Sequence, residues 1–363
     1  VVNGRAQGVE TLTLEDCLRV GIDNNLSLES KRREIQKSKY GVSENRARLL
    51  PQISAVAGYS NNFDPPVSVT DGSSYGVPYN ITQTLQHSAN AGLEMQMPLF
   101  NQTLYTSMSI AKVVEEISRL SYGKAREDII LQISKMYYLG QVTAEQIVLI
   151  KANITRLEEL RDITRAFFDN GMSMEVDLKR VNINLENLKV QYDNAQAMMK
   201  QQLNMLKYIM DYPAEKEIAL TPVNTDSITT VALTGLSENL YELQLTQSQL
   251  ELAERQKRMI TNGYIPSLSL TGNWRYAAYT DKGYHWFHSG PSNHWFRSYG
   301  LGLTLRIPIF DGLDKTYKIR KAMIDIENRK LAWEDTRKNL QTQYLNAAND
   351  LMNNQRNFKK QKD

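Results

Sequence analysis

Few side chains in this sequence have the types and spacing that metal binding requires. The four histidines are His87, His285, His288 and His294, and all lie in or next to two predicted hairpin loops. His285 and His288 could in principle share a metal ion, but flexible loops without carboxylate partners make a poor zinc site. We therefore expect no metal and no cofactor.

Nucleophilic catalysis lacks a base, because no histidine lies near Cys17 or a helical serine. Cys17 follows Glu15-Asp16 in a helical pattern that predicts a small buried residue, and a single cysteine excludes an internal disulfide. Gly290-Pro291-Ser292 is turn material and not a phosphate-binding loop. The sequence therefore gives no support to an enzyme.

Polar side chains instead alternate with apolar ones along predicted strands. The polar positions of interest are Glu94, Gln96, Arg275 and Arg306, and each has apolar neighbours in the sequence. Alternation with a period of two places such side chains on one face of a sheet. These residues could line an aqueous lumen or could simply keep that face wet, and the sequence leaves both interpretations open.

Four segments show this alternation, at 52–62, 89–97, 267–276 and 299–307. Each is about ten residues long, the length that a tilted strand needs to cross a bilayer. A soluble antiparallel sheet with one wet face is the alternative. Four strands of similar length, flanked by helices with narrow apolar stripes, favour the membrane.

Aromatic residues gather at the far ends of the last two strands, and they include Trp274, Tyr276, Trp295 and Tyr299. Tryptophan and tyrosine are enriched at membrane–water interfaces, so we interpret these four as interface residues. The alternative is a cluster of exposed loop aromatics. Since four strands cannot close a barrel and open edges are not tolerated in lipid, we expect the chain to pair with copies of itself.

Long helices are predicted wherever proline is absent, which it is from 99–212, 223–265 and 309–363. The apolar stripe through 99–169 is narrow and flanked by charge, as in a coiled coil, and this helix would be roughly 105 Å long. Asp169-Asn170-Gly171 then predicts a tight turn into a second, antiparallel helix over 172–210. A further helix is predicted over about 237–262.

The composition excludes two other classes of protein. The 363 residues have a formal net charge of +3 and a mean hydropathy of −0.46. No basic cluster indicates nucleic-acid binding, and no apolar run is long enough for a membrane-spanning helix.

The sequence also contains an internal repeat. Leu50-Pro51 recurs as Ile265-Pro266, and Pro98-Leu99-Phe100-Asn101 recurs as Pro308-Ile309-Phe310-Asp311. Each copy has the order helix, proline, strand, loop, strand, proline, helix. In this plan Asn101 and Asp311 are predicted N-caps of the outgoing helices.

This duplicated plan, together with the opening Leu12-Thr13-Leu14-Glu15-Asp16, resembles the TolC-type outer-membrane efflux protein family. The resemblance covers roughly 10–363. It implies an α+β membrane protein in which long antiparallel helical hairpins form a periplasmic α-barrel. Each of three chains would contribute four strands to a twelve-stranded transmembrane β-barrel. One departure is that Asn24-Asn25-Leu26 lacks a proline often found there, which leaves the local turn open.

The resemblance also implies a function. It implies a homotrimer in the bacterial outer membrane that spans into the periplasm and is in contact with the lipid bilayer. It would act as the passive exit duct of a tripartite efflux pump or type I secretion system, with a periplasmic adaptor and an inner-membrane transporter as partners and no nucleic acid. Gly171, Met172 and Ser173 match the helical tip that meets the adaptor, and Asp177 matches a position near the periplasmic mouth.

The repeat sets the predicted domain organisation. We expect an N-terminal stub at 1–9, a first repeat over 10–210, an equatorial linker at 211–236 and a second repeat over 237–363. The first repeat holds a β-hairpin at 52–98 and a tip at 169–173, and the second holds a β-hairpin at 266–308. With an offset of 210, Asp363 corresponds to Asn153, so we expect the second repeat to be incomplete at its C-terminal end. A soluble or periplasmic coiled-coil scaffold is the alternative function, although it would leave the four strands unexplained.

Overall fold

A computed structural model of the chain describes residues 10–71, 73, 76, 78–83, 85–223, 237, 239–280 and 295–362. The described residues divide into two compact units. The helical unit comprises those within Val1–Gln36, Ile117–Leu245 and Asp335–Asp363, and the strand unit those within Lys37–Glu116 and Thr246–Glu334.

The described elements follow the helix–strand–helix order of the repeat. In chain order they are β1 (Glu10–Leu12), α1 (Leu14–Asn24), α2 (Leu26–Ala47), β2 (Gln52–Asn61), β3 (Val67–Asp71), β4 (Tyr79–Gln83), β5 (His87–Phe100), α3 (Gln102–Asp169), α4 (Glu175–Met210), β6 (Ile218–Leu220), α5 (Tyr241–Asn262), β7 (Ser267–Thr280), β8 (Trp295–Arg306) and α6 (Asp314–Lys362).

The four predicted strands form one sheet in the order β2-β5-β7-β8. All three pairings are antiparallel, and β5 with β7 joins the two copies of the repeat. The fold class of long helices with four strands is therefore confirmed. The loop between β2 and β5 also holds a hairpin of β3 and β4, which the alternation did not predict.

The long helices follow from the absence of proline. Helix α3 has 68 residues and begins after Asn101, whose Oδ1 accepts hydrogen bonds from the N–H groups of Thr103 (3.0 Å) and Leu104 (3.2 Å). This is the predicted N-cap.

Asp311 is not an N-cap in the same sense, because Gly312 and Leu313 adopt positive φ values of 67° and 68° before α6 begins. Its carboxylate instead accepts from the N–H (3.3 Å) and Nζ (2.9 Å) of Lys315.

The helical unit is built around one apolar cluster. Its buried members are Leu12, Cys17, Ile133, Tyr137, Leu206, Ile209, Met210 and Ile218. Cys17 is fully buried, as the helical pattern predicted. Burial and the nearby charge of Asp16 raise the pKa of its thiol to about 11.

Two short strands that the sequence did not predict contribute Leu12 and Ile218 to this cluster. Strand β1 pairs in parallel with β6, which lies within the segment expected to be a linker. Tyr212 donates a hydrogen bond to Glu10 at 2.5 Å, and this bond raises the pKa of the tyrosine to about 12. Three-residue strands carry too little periodicity to be recognised from sequence.

The turn between α1 and α2 forms without proline. Asn25 donates through Nδ2 to the carbonyl of Ile209 at 2.7 Å and accepts at Oδ1 from the N–H of Leu28 at 3.1 Å. It thereby caps α2 and ties the turn to the end of α4. This side chain supplies the break between α1 and α2 at the place where the resemblance implies a proline.

Candidate functional site

Strand register assigns each sheet residue to one of two faces. Glu94 pairs with Ser54 and Asn273, whereas the next residue along the strand, Met95, pairs with Ile53 and Gly272. Because successive side chains in a strand point to opposite faces, these two rows define a polar face and an apolar face.

The polar face holds all four charged or amide residues that the alternation singled out. They are Glu94, Gln96, Arg275 and Arg306. Arg275 donates from Nη2 to Oε1 of Glu94 at 2.8 Å. Arg306 pairs in register with Ser267 at the helix-proximal end of the sheet, and no described carboxylate forms an ion pair with it. The polar face thus carries one compensated pair and one uncompensated cation among its described residues.

The apolar face holds the four predicted interface aromatics. Trp274 pairs with Tyr299, Tyr276 pairs with Arg297, and Trp295 pairs with Ala278, so the four side chains share one face at the loop-proximal end. Exposed leucines follow towards the helices, with Leu301 79% and Leu303 67% exposed. A contiguous exposed apolar surface of this kind marks a contact with lipid or protein.

Arg297 is a charged residue of the apolar face that the sequence analysis missed. Its guanidinium carbon lies 5.9 Å from the centre of the Tyr299 ring. Counting two residues back from Tyr299 would have placed it on this face, but the apolar pattern was recognised only from Tyr299 onward.

The turn between α3 and α4 is a Schellman motif. Gly171 has a φ of 71°, its N–H donates to the carbonyl of Phe168 (2.9 Å), and the N–H of Met172 donates to Phe167 (2.8 Å). The side chain of Asn170 adds a bond to the carbonyl of Ala166 at 2.7 Å. The predicted turn is therefore confirmed, and Gly171 occupies the position that requires a left-handed backbone.

This turn exposes apolar side chains next to charged ones. Met172 and Met174 are each 75% exposed, and Ser173 has a buried hydroxyl without a hydrogen-bond partner. Asp177 lies in the first turn of α4, 3.8 Å from Arg180. A hydrogen bond from Lys179 lowers the pKa of Glu175 in the same turn. We call the surface of residues 169–177 the helical tip.

Other candidate groups give little chemistry. Within the described residues, no three histidine, cysteine or acidic side chains gather where they could hold a metal ion. His87 accepts or donates a bond of 2.9 Å to the hydroxyl of Tyr59. His285, His288 and His294 lie outside the described residues. None of the described helices is long and apolar enough to span a bilayer.

Comparison with known proteins decides the family. A model of the outer membrane efflux protein family matches residues 20–210, which is more than half of the chain. The chain belongs to the outer membrane efflux protein family. The predicted location in the bacterial outer membrane is thereby confirmed.

Two proteins with similar sequences are also named as outer membrane proteins. The outer membrane protein TolC of Vibrio cholerae is 20% identical over 290 residues, which are 77% of this chain and 61% of the relative. The probable efflux pump outer membrane protein TtgC of Pseudomonas putida is 22% identical over 276 residues, 72% of this chain and 53% of that protein. The chain thus spans between half and two thirds of the length of these relatives.

A solved structure supports the fold independently. A crystal structure of CusC, a protein that forms a transmembrane channel, superposes on this chain with a TM-score of 0.74 at 16% identity. The match covers 98% of this chain and 79% of that one. At this identity the likeness shows a shared fold, which includes the long helices and the four strands.

Proposed function

We propose that this efflux-family protein is the exit duct of a tripartite efflux pump or type I secretion system. It would assemble as a homotrimer in the outer membrane and conduct solutes passively from the periplasm to the exterior. A periplasmic adaptor and an inner-membrane transporter would be its partners.

The observation that supports this function best is a four-stranded sheet with two open edges and two unlike faces. Strands β2 and β8 form the ends of the sheet order, so each presents backbone groups along one side. In lipid these groups need partners, because an unpaired N–H or C=O is costly in hydrocarbon. Pairing β8 of one copy with β2 of the next satisfies them, and repetition closes a barrel.

The two faces fit such a barrel. The exposed leucines and aromatics of the apolar face are suited to lipid, and the face that holds Glu94, Arg275 and Arg306 is suited to water. With three copies the barrel has twelve strands, which leaves an aqueous channel wider than the packed interior of an eight-stranded barrel. Glu94, Gln96, Arg275 and Arg306 would then line the lumen.

The helical tip is the proposed contact with the adaptor. Its exposed Met172 and Met174 supply flexible apolar surface, which adapts readily to a partner. Asp177 and Arg180 add charge at its border, where polar rim contacts commonly select the partner. Asp177 would lie near the periplasmic mouth of the duct.

Fractionation and conductance test this function together. The protein, expressed behind an export signal, should fractionate with outer membranes and migrate as a trimer until the sample is heated. Purified trimers should give discrete conductance steps in planar bilayers. A monomer in the soluble fraction, or a membrane trimer without conductance, would contradict the proposal.

A further inference from the structure

The apolar face of the sheet carries one cationic side chain, Arg297, among aromatic and aliphatic residues. Register pairs Arg297 with Tyr276, and the next step towards the helices pairs Tyr299 with Trp274. The side chain of Arg297 lies over the Tyr299 ring. Among the described residues, no carboxylate forms an ion pair with Arg297.

An open trough begins directly beyond these aromatic rings. It has a volume of about 500 Å³ and crosses all four strands, with Gly272 at its floor and Ile53, Met95, Trp274 and Leu301 among its walls. Gly272 lacks a side chain, while a Cβ there would lie 3.2 Å from both the Leu301 Cδ2 and the Met95 Cε. The trough is therefore shaped by a missing side chain between two long apolar ones.

Along the strands towards the helices, Arg297 comes first, the rings of Tyr299 and Trp274 follow, and the apolar trough comes last. Arg297 lies on β8 between Trp295 and Tyr299, two of the aromatic residues that share its face at the loop-proximal end. Because girdles of aromatic residues flank the apolar band of an outer-membrane barrel, Arg297 falls at the loop-proximal border of that band. An arginine at this depth costs little free energy, and it can reach the headgroup layer while its methylenes stay in apolar surroundings.

We propose that the apolar face binds one anionic, phosphate-bearing lipid of the bilayer, with the lipid phosphate on Arg297 and an acyl chain in the trough over Gly272. A guanidinium matches phosphate oxygens in a bidentate arrangement, and it has no described carboxylate that would compete for it. The trough is apolar and open towards the bilayer, as an acyl chain requires. This inference rests on the proposed function, because it needs the sheet to be inserted in a membrane.

Native mass spectrometry of the purified protein in detergent tests the site. The probes are dioleoyl phosphatidylglycerol and, for comparison, dioleoyl phosphatidylcholine at equal concentration. Wild-type protein should retain the anionic lipid preferentially, and Arg297→Gln should lower that retention about fivefold. Arg297→Lys should give an intermediate retention, since the charge remains but the bidentate geometry is lost. Arg320→Gln is the matched control, because Arg320 also lies over a tyrosine, Tyr317, but on α6.

A second variant tests the trough. Gly272→Leu fills it without changing any charge, so it should lower retention even though Arg297 is intact. Excess inorganic phosphate should displace little lipid, because the acyl chain also contributes to binding. Full displacement by phosphate, or unchanged retention in Gly272→Leu, would show a simple anion site and overturn the proposal.

Trimer migration and conductance, read on the same preparations, separate the two possible failures. Absence of conducting trimers in the wild type would refute the proposed function. Conducting trimers in which Arg297→Gln retains phosphatidylglycerol as the wild type does would refute only the lipid site.

Discussion

Arg275 on β7 reaches diagonally across the sheet to Glu94 on β5, with 2.8 Å between Nη2 and Oε1. Its partner in register is Gly92, which has no side chain to obstruct this path. Both side chains are about half exposed, so the pair contributes at most ~1 kcal/mol to stability. Its main effect is to place compensated charge on the polar face.

Replacing Glu94 with glutamine should change ion selectivity more than stability. The substitution leaves Arg275 uncompensated on each polar face, so the lumen becomes more positive. We expect the anion-to-cation permeability ratio to rise by about twofold or more, measured as the reversal potential in planar bilayers under a salt gradient.

Glu44→Gln provides the control for this experiment. Glu44 forms a similar exposed ion pair with Arg48 at 2.8 Å, but on helix α2. Its loss should leave the reversal potential unchanged. If Glu94→Gln also left it unchanged, Glu94 would serve only to keep its face wet.

Gly92→Val should disrupt the pairing of β5 with β7. A Cβ at Gly92 would lie 2.4 Å from the carbonyl oxygen of Trp274 and 2.8 Å from the Cα of Arg275, and neither backbone atom can rotate away. We expect a loss at the upper end of the ~1–3 kcal/mol that overpacking costs, with fewer heat-sensitive trimers in membranes. Gly300→Ala should be tolerated, because its nearest contact is the Asn273 Oδ1 at 3.5 Å. Equal trimer yields for the two variants would argue against this close approach.

Gly171→Val should uncouple the tip from its adaptor while trimers persist. Nothing lies within 4 Å of a Cβ built at Gly171, so the substitution acts through its φ of 71°. A left-handed backbone costs a valine about 1–2 kcal/mol, which reshapes the turn. Drug accumulation in cells should therefore increase.

Gly41→Val matches this change at a site without the strain. Gly41 lies in α2, also has open space around a Cβ, and has no positive φ. It should leave efflux intact. Normal drug resistance in cells that carry Gly171→Val would count against the role of the tip.

Cys17 should resist alkylation in the folded protein. Burial and Asp16 raise the pKa of its thiol from 9.0 to about 11, so at pH 8 the reactive thiolate is about a hundredfold rarer than in the unfolded chain. The raised pKa stabilises the fold below pH 9, and this contribution is lost as the pH rises through 11.

Iodoacetamide labelling with and without denaturant measures this protection, with mass spectrometry as the readout. Cys17→Ala should remove this part of the pH dependence of unfolding. Labelling of the native protein at the denatured rate would show that the thiol is accessible.

The positions of the helices and of the sheet strands could be predicted because each depends on local pattern. Long helices were predicted in the stretches that lack proline, and strands where apolar and polar residues alternate with a period of two. Asn170-Gly171 predicted a left-handed C-cap. The faces of Glu94, Arg275 and Trp274 followed from the same alternation. Strands β1 and β6 were missed because three residues show no period.

What the sequence determined alone is the duplicated plan, the two unlike sheet faces and the resemblance to an efflux family. Only the tertiary structure decided which residues meet. It joined the two repeats through β5 and β7, brought Arg275 to Glu94 over Gly92, and used Asn25 in place of a proline. The physical reason is the distance along the sequence over which each feature is determined. Helix and strand periods depend on neighbours within a few residues, whereas these contacts join residues 181 and 184 positions apart, whose register no local pattern encodes.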